Sequence, residues 1–424
     1  MPSIDKTHVV VLTNYLRRHH ALVFEEIRKH VGKLTVLLST TMEPDRDWDP
    51  QWGDLDVRVQ RNWMYTARWR HSSGFEEPNY IHIPIDTVRK LRELKPDIVF
   101  SYEMGMRTAF SGLFRMLHRK VPLVMVGNMA DHIESERGIG RRTIRRFVRN
   151  RVDFATYNGP SCKRYLEGIG FTQDQLFHFP YCIDVDKTYK GPQRFNDDQH
   201  RHLIYTGAIS SRKGIVPFIE SLVSYLNANP SCNVTLSIAG NGPLQDEVKK
   251  TQSDQLTIKL LGNCDSDEVS AAYQAADICA YPTFGDEWGL VPIEAMASGL
   301  PVLGSILAQS VEATVVDNVN GWRFDPREKA SMVDAIGQAL RATSSELQSM
   351  STAARESVQD LTPQVSASKF CGLIRTISGS PDTDKSSPTD SDPTANDPTE
   401  SPKSPVIGND TNGDQAIQTE KAAL

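Results

Sequence analysis

Short β-branched and aliphatic runs alternate with helical stretches along most of the chain, and this alternation narrows the possible folds more than any other feature. HVVVLTN (8–14), KLTVLLS (33–39), DIVFSY (97–102), PLVMVGN (122–128) and VDFATYN (152–158) form a first series, with helical patterns at 21–30, 87–94 and 107–118. RHLIYTG (201–207), VTLSIAG (234–240), TIKLLG (257–262), ADICAYP (276–282) and LPVLGS (300–305) form a second. Strands apolar on both faces and separated by helices indicate parallel sheets covered on both sides. The expected class is α/β, with two doubly wound, Rossmann-like domains. Residues 1–190 make the first and 191–362 the second, with the polar, turn-rich segment 180–199 as the hinge. A last helix within 363–380 follows a proline-marked break and is free to cross back to the first domain. In open α/β sheets ligands bind beyond the carboxyl ends of the strands, so two facing domains enclose one cleft.

Composition sharpens this only at the C-terminal end. Residues 381–424 hold nine acids and three lysines, are rich in Ser, Thr, Asp and Pro, and contain no aromatic residue. Such a segment cannot bury enough surface to offset chain entropy and is expected to be disordered. It carries the whole formal charge of -6, so the rest is neutral and lacks a field that would recruit nucleic acid. The six cysteines are scattered without a CxxC pair, which argues against a zinc site or a disulfide framework. No apolar run reaches the roughly 18 residues of a spanning helix, and the early Asp5 makes the N-terminus read as a first strand, not a signal peptide. A cytoplasmic location, with possible contact to the membrane from that side, is the expectation.

The densest chemical signal is AYPTFGDEWGLVPIEAMASGLPVLGS (280–305). A strand ends at Tyr281-Pro282, an acid-bearing loop with Gly285 and Gly289 follows, and a helix starts near Pro292 with Glu294 in its first turn. Helix N-termini present unpaired N–H groups and a positive dipole end, so amides and carboxylates there can hold a phosphate or a sugar hydroxyl. Upstream, YTGAISSRKGIVPFIESL (205–222) places Gly207 in a turn and Arg212-Lys213-Gly214 at a helix start, a pattern suited to a diphosphate.

These segments resemble the group 1 retaining glycosyltransferases with the GT-B fold, in which two acids are separated by seven residues. Counting back from Glu294 gives Asp286, where the family usually has glutamate, so either Asp286 or its neighbour Glu287 is the first acid. Glu287, Trp288, Gly289, Leu290, Ala295, Met296, Gly299 and Pro301 complete the pattern. SIAGNGPLQDEV (237–248), with Gly240 and Gly242, resembles the family's glycine-rich turn, and Gly262 the stretch bordering the nucleobase. The resemblance covers roughly 8–378 and implies a nucleotide diphosphate-sugar donor, with Lys213 and Arg212 on its phosphates and Glu294 on its ribose. Asp286 or Glu287 would hold the donor sugar. The arginine that commonly follows the first glycine is replaced by Ala208.

By the same resemblance the first domain is the acceptor side, for a glycan or lipid-linked acceptor. His132, in the loop VGNMADHIESERGIGRR (126–142), would lie close to donor sugar and acceptor. Asn14 stands where many relatives have a glycine-rich loop, and Arg17, Arg18, His19 and His20 could face an anionic acceptor or simply start a helix. Glu103 and Arg107 are further acceptor-side candidates, and the loops 14–20 and 42–82 would set acceptor choice. No cofactor or metal is expected; Asp184-Val185-Asp186 lies in the hinge. Seven arginines between Arg137 and Arg151, interleaved with apolar residues, suit either an anionic membrane surface or an ordinary half-packed helix. Two alternatives stay open: a GT-B nucleotide-sugar epimerase, and a catalytically weak sugar-nucleotide or glycan-binding partner in a polysaccharide assembly complex.

Overall fold

The computed structural model describes residues 4–44, 52–70, 74–134, 139–184, 191, 193, 195, 200–251 and 253–379. The tail 381–424, Glu136, Arg137 and most of the expected hinge lie outside the described residues. The first sheet is built from β1 (His8–Thr13), β2 (Lys33–Leu38) and β3 (Asp56–Val59), and, after a hairpin of β4 (Asn62–Arg70) and β5 (Glu76–Pro84), from four more strands. These are β6 (Ile98–Tyr102), β7 (Leu123–Val126), β8 (Phe154–Tyr157) and β9 (Leu176–His178). The second comprises β10 (His200–Thr206), β11 (Asn233–Ala239), β12 (Leu256–Gly262), β13 (Ile278–Tyr281), β14 (Val302–Ser305) and β15 (Gly321–Phe324).

Both sheets are parallel throughout, in the orders β3-β2-β1-β6-β7-β8-β9 and β12-β11-β10-β13-β14-β15. Each order reverses once, beside β1 and β10 respectively, and those reversals are where ligands bind in open α/β sheets. Period-two alternation explains why the strands read as unbroken apolar runs. Val9 and Val11 enter a core with Phe24, Ile27 and Phe370, while Val10 and Leu12 face the opposite core with Leu91 and Phe114. The second sheet repeats this, with Leu203 and Tyr205 on one side and Ile204 on the other.

Helix Pro363–Ile377 leaves the second sheet's series and packs on the first. Phe370 lies 4.1 Å from the Phe100 ring and 5.3 Å from Phe179, and the Ser366 hydroxyl donates to the Pro180 carbonyl at 3.0 Å. The segment 42–82, read as loop from the sequence, instead contains β3 and most of the β4–β5 hairpin, which joins neither main sheet. None of the described helices is long and apolar enough to cross a membrane.

Candidate active site

The turn after β10 is shaped by glycines whose backbone angles L side chains rarely adopt. Gly207 has φ 145° and Gly214 φ 68°, and a Cβ on Gly214 would sit 2.0 Å from the Pro282 carbonyl oxygen. Gly214 therefore lets the turn pack directly against the end of β13, and helix Ile215–Ala228 starts immediately after it. This brings Lys213 over the loop that follows β13. Its ammonium donates to the Tyr281 hydroxyl at 3.1 Å and pairs with the Asp286 carboxylate, which also accepts from Tyr281. Arg212 donates to the Gly285 carbonyl at 3.1 Å and stands 3.6 Å from Asp286. Burial alone would raise the Asp286 pKa. The charges of Lys213 and Arg212, with the hydrogen bonds from Lys213 and Tyr281, outweigh it and hold the group at about 2.

Glu294 is in the opposite condition. The helix begins at Leu290, two residues before the proline expected to open it, with Gly289 as its N-cap at φ 90°. Burial raises the Glu294 pKa, no other group offsets it, and its carboxyl has no hydrogen-bond partner among the described residues. It borders a cavity of about 290 Å³, together with Leu290, Thr206, Tyr273 and Cys264 from the second sheet's side and Arg18 and His19 from the first. A partly buried carboxyl without a hydrogen-bond partner among the described residues is poised to accept hydrogen bonds from a ligand's hydroxyls.

Gly240 and Gly242 have a packing role that the sequence did not reveal. A Cβ on Gly240 would lie 2.0 Å from the Gly207 carbonyl oxygen, and one on Gly242 2.3 Å from that of Ile209. They let the turns after β10 and β11 touch, joined by the Ile209 N–H to the Asn241 carbonyl at 2.9 Å. Gly262, with φ 74°, has open space where a Cβ would be.

Asp286 and Glu287 serve different surroundings. Glu287 lines a second cavity of about 330 Å³ on the first sheet's side, with Glu103, Met129, Arg141 and residues of β5. It also lines a smaller one that holds Arg17 and Tyr181. Its backbone carbonyl is gripped from across the cleft by Asn158 at 3.1 Å and from within the second sheet's side by Gln309 at 2.5 Å. Gln309 also donates to the Met129 carbonyl at 3.4 Å and accepts from the Cys162 N–H at 2.7 Å. Neither Asn158 nor Gln309 was a candidate from the sequence, where an isolated amide carries no signal.

His132 lies in the short helix Asp131–Glu134, with Nδ1 3.5 Å from Asp131 and Nε2 3.7 Å from where a Gly285 Cβ would be. It thus abuts the loop carrying Asp286 and Glu287. Burial would raise the Asp131 pKa, but hydrogen bonds from the side chains of His132, Ser161 and Arg164, with the Arg164 charge, depress it well below the usual carboxylate range. Arg164 spans to Glu312 at 2.5 Å, the outer edge of the contact between the two sides. Because Arg164 is half exposed, Arg164→Ala should cost only about 0–1 kcal/mol in a denaturant melt.

The other acceptor-side candidates divide. Arg107 is buried and acts as an internal bolt, donating to Asn14, to Ser39 at 3.2 Å and to the Tyr102 carbonyl at 2.7 Å. Asn14 is thereby fixed at the end of β1, and both line the 330 Å³ cavity. Glu103, which also lines that cavity, adopts φ 63°, the left-handed region uncommon outside glycine. Arg17 donates to the Tyr15 hydroxyl at 2.9 Å. His20 cannot serve as a cation for an anionic acceptor: burial, then the Arg17 charge, lowers its pKa to about 3, and it packs among Phe24, Tyr102 and Tyr181.

The expected arginine face is also partly consumed. In helix Ile139–Arg149, Arg145 is buried against Glu134 and donates to Tyr165 at 2.7 Å. Arg149 lies over the Phe171 ring at 4.1 Å and donates to Gln175 at 3.0 Å, which leaves Arg142 and Arg146 as the exposed ones.

Two parallel sheets with paired switch points, a basic turn facing an acid loop and a cavity between them define a GT-B glycosyltransferase architecture. Residues 200–342 match the family profile described as "Glycosyl transferases group 1". Sulfoquinovosyl transferase SQD2 of Arabidopsis thaliana is 25% identical over 57% of this chain and 50% of its own. The crystal structure of Anabaena Alr3699/HepE in complex with UDP superimposes with a TM-score of 0.64 at 15% identity, covering 87% of this chain and 100% of that one. The lipopolysaccharide outer core galactosyltransferase WaaB does so with a TM-score of 0.65 at 10% identity, covering 87% and 99%. The chain spans half or less of the length of the curated relatives it matches. Residues 200–342 are thus similar to the group 1 glycosyltransferases, and the two sheets together have the GT-B fold of these solved structures.

Proposed function

We propose that this protein is a retaining, metal-independent glycosyltransferase that moves a hexosyl group from a nucleoside diphosphate sugar to an acceptor hydroxyl, in polysaccharide or glycolipid synthesis. The observation that carries this reading is the convergence at the β10 switch point. Two cations meet Asp286 on one side, and the Glu294 carboxyl, without a hydrogen-bond partner among the described residues, borders a cavity on the other. A departing nucleoside diphosphate needs compensation of the charge that develops on phosphate, and Lys213 with Arg212 supplies it. Glu294 accepts the ribose hydroxyls. Asp286 orients Lys213 before the donor arrives and then shares it with the donor. Glu287 and His132 border the space between donor sugar and acceptor, where orientation of the attacking hydroxyl matters most.

Anabaena HepE has been crystallised with UDP and with UDP-glucose, so uridine diphosphate sugars are the first donors to test. The protein is expected to melt at higher temperature with UDP, because a ligand that binds only the native state stabilises it by mass action. No shift with any nucleoside diphosphate or its sugar, in a folded sample, would overturn the reading. Transfer unaffected by EDTA would support metal independence, and NMR of the product anomer would establish retention. Peripheral attachment to an anionic membrane on the cytoplasmic side is part of the same proposal.

Glu294→Gln should weaken nucleotide binding by about 10- to 100-fold, the range of a hydrogen bond to a charged acceptor. The pH dependence has a definite sign. Hydroxyl donors favour the ionised carboxylate, so binding to the parent weakens as pH falls through the raised Glu294 pKa. Glu294→Gln should flatten that limb, as titration calorimetry across the acid range would show.

A further inference from the structure

Besides Glu294, three polar side chains line the 290 Å³ cavity with an atom that the fold shields from solvent and leaves over. The Thr206 and Tyr273 hydroxyls lie side by side, and beyond each other they have no hydrogen-bond partner among the described residues. Tyr273 is only 1% exposed, so water from outside cannot make up the shortfall. Two hydroxyls paired with each other still leave one proton and several lone pairs to spend. The His19 Nε2 has no hydrogen-bond partner among the described residues either. Buried polar atoms are normally satisfied, so a cluster of unsatisfied ones around one cavity points to a polar ligand.

The fold gathers these groups from distant parts of the chain and fixes each of them. Thr206 closes β10, and Tyr273 is buried on helix Ser266–Gln274, whose start is set by the Asp265 capping box. The Tyr273 backbone carbonyl accepts from the buried Gln193 amide at 3.0 Å, which anchors the other end of that helix. His19 comes from the first domain, at the second position of helix Arg18–Arg28. Its ring lies 4.2 Å from His20 and 4.9 Å from Tyr181, and Tyr181 stacks on Trp288 of the acid loop at 5.7 Å. Its backbone carbonyl accepts from the Cys182 thiol at 3.6 Å. The imidazole is therefore oriented before any ligand arrives. Burial, then the neighbouring His20 and Arg17, lowers its pKa well below the ordinary 6.5. It is a neutral group that can donate or accept at Nε2, not a cation for an anionic acceptor.

We infer that His19, Thr206 and Tyr273 act with Glu294 as one constellation around a ribose, and that the protein therefore selects ribonucleotide over 2′-deoxyribonucleotide donors. A ribose presents two neighbouring hydroxyls, each able to donate and to accept. The Glu294 carboxylate only accepts, the Thr206–Tyr273 pair has a proton to give, and the imidazole does either according to its tautomer. Together they match both hydroxyls. Removing the 2′-hydroxyl leaves at least one shielded group unpaired, which costs more than the lost hydrogen bond alone. The inference rests on the nucleotide reading of this cavity and deepens it by naming the sugar of the nucleotide and the side chains that recognise it.

The test is titration calorimetry of the full chain with UDP and with 2′-deoxy-UDP. If melting shifts select another base, its ribo and deoxy diphosphates take their place. The parent should bind the ribonucleotide about 10- to 100-fold more tightly. That ratio is read on the parent and needs no variant. Tyr273→Phe and His19→Phe keep a ring in place and remove the polar atom. Each should weaken UDP binding about tenfold and narrow the ratio between the two nucleotides. His19→Gln ends in an amide that can stand in for Nε2 and should recover part of the loss. Melting temperatures of the ligand-free variants near the parent's would exclude misfolding as the cause. Equal affinity of the parent for both nucleotides overturns the inference while leaving the donor cleft intact. A ribonucleotide preference that both phenylalanine variants leave unchanged also overturns it, by removing His19 and Tyr273 from recognition. Absence of binding by any nucleoside diphosphate overturns the donor reading itself, and this inference with it.

Discussion

Lys213→Ala is expected to lower kcat/KM for sugar transfer by about 100- to 1,000-fold, the range seen when one preorganised donor to a developing oxyanion is removed. The ammonium is already positioned without ligand, held by Asp286 and Tyr281, so it need not be reorganised during the reaction. Steady-state rates with a UDP-sugar donor would measure the loss, and a variant as active as the parent would remove Lys213 from the mechanism. Lys213→Arg keeps the charge but not the compact geometry, and should recover only part of the rate.

The same substitution has an acid signature. Asp286 titrates at about 2 in the folded protein against an ordinary 3.8, a depressed carboxylate. Its contribution to stability is therefore complete above pH 3.8 and is lost as pH falls towards about 2. That contribution is on the order of 2 kcal/mol. Without the Lys213 charge the burial penalty meets less opposition, the Asp286 pKa rises, and acid unfolding begins at higher pH. Circular-dichroism titrations of parent and variant would show the displaced limb; coincident curves would refute the coupling.

Gln309→Ala is expected to destabilise the protein by about 2–5 kcal/mol and to lower kcat with little change in donor KM. The side chain is buried and satisfies the Cys162 N–H and the Met129 and Glu287 carbonyls together. Each buried group left unpaired costs about 1–3 kcal/mol, and Asn158 still serves only the Glu287 carbonyl. The kinetic split follows from position. Gln309 holds the peptide carrying Glu287 towards the first sheet's side, whereas the cavity proposed for the nucleotide is lined by other residues. Gln309→Leu fills the volume without the hydrogen bonds and should reproduce the kcat loss. Denaturant melts and donor-saturation kinetics check both halves, and a parent-like kcat would leave Gln309 as packing alone.

The parallel sheets were legible because burial on both faces writes itself as local, continuous apolar runs such as 8–13 and 233–239. Lys213, Asp286 and Glu294 were legible for a related reason: a strand, a glycine turn and a helix start are short-range features. The hairpin was not, since Asn62–Arg70 and Glu76–Pro84 satisfy their hydrogen bonds with each other and lie apart from both main sheets.

Which of two adjacent acids faces which partner was equally hidden. Asp286 and Glu287 are one peptide apart in sequence, yet one meets Lys213 and the other lines a cavity on the far side of the cleft. Arg107 read as an acceptor-side candidate, and burial beside Asn14 and Ser39 makes it a bolt. Local periodicity and turn chemistry thus determined two α/β series and the basic and acidic turns at their strand ends. Only the tertiary structure decided which charges are spent on each other, because burial and pairing across 68 to 147 residues depend on how the sheets meet.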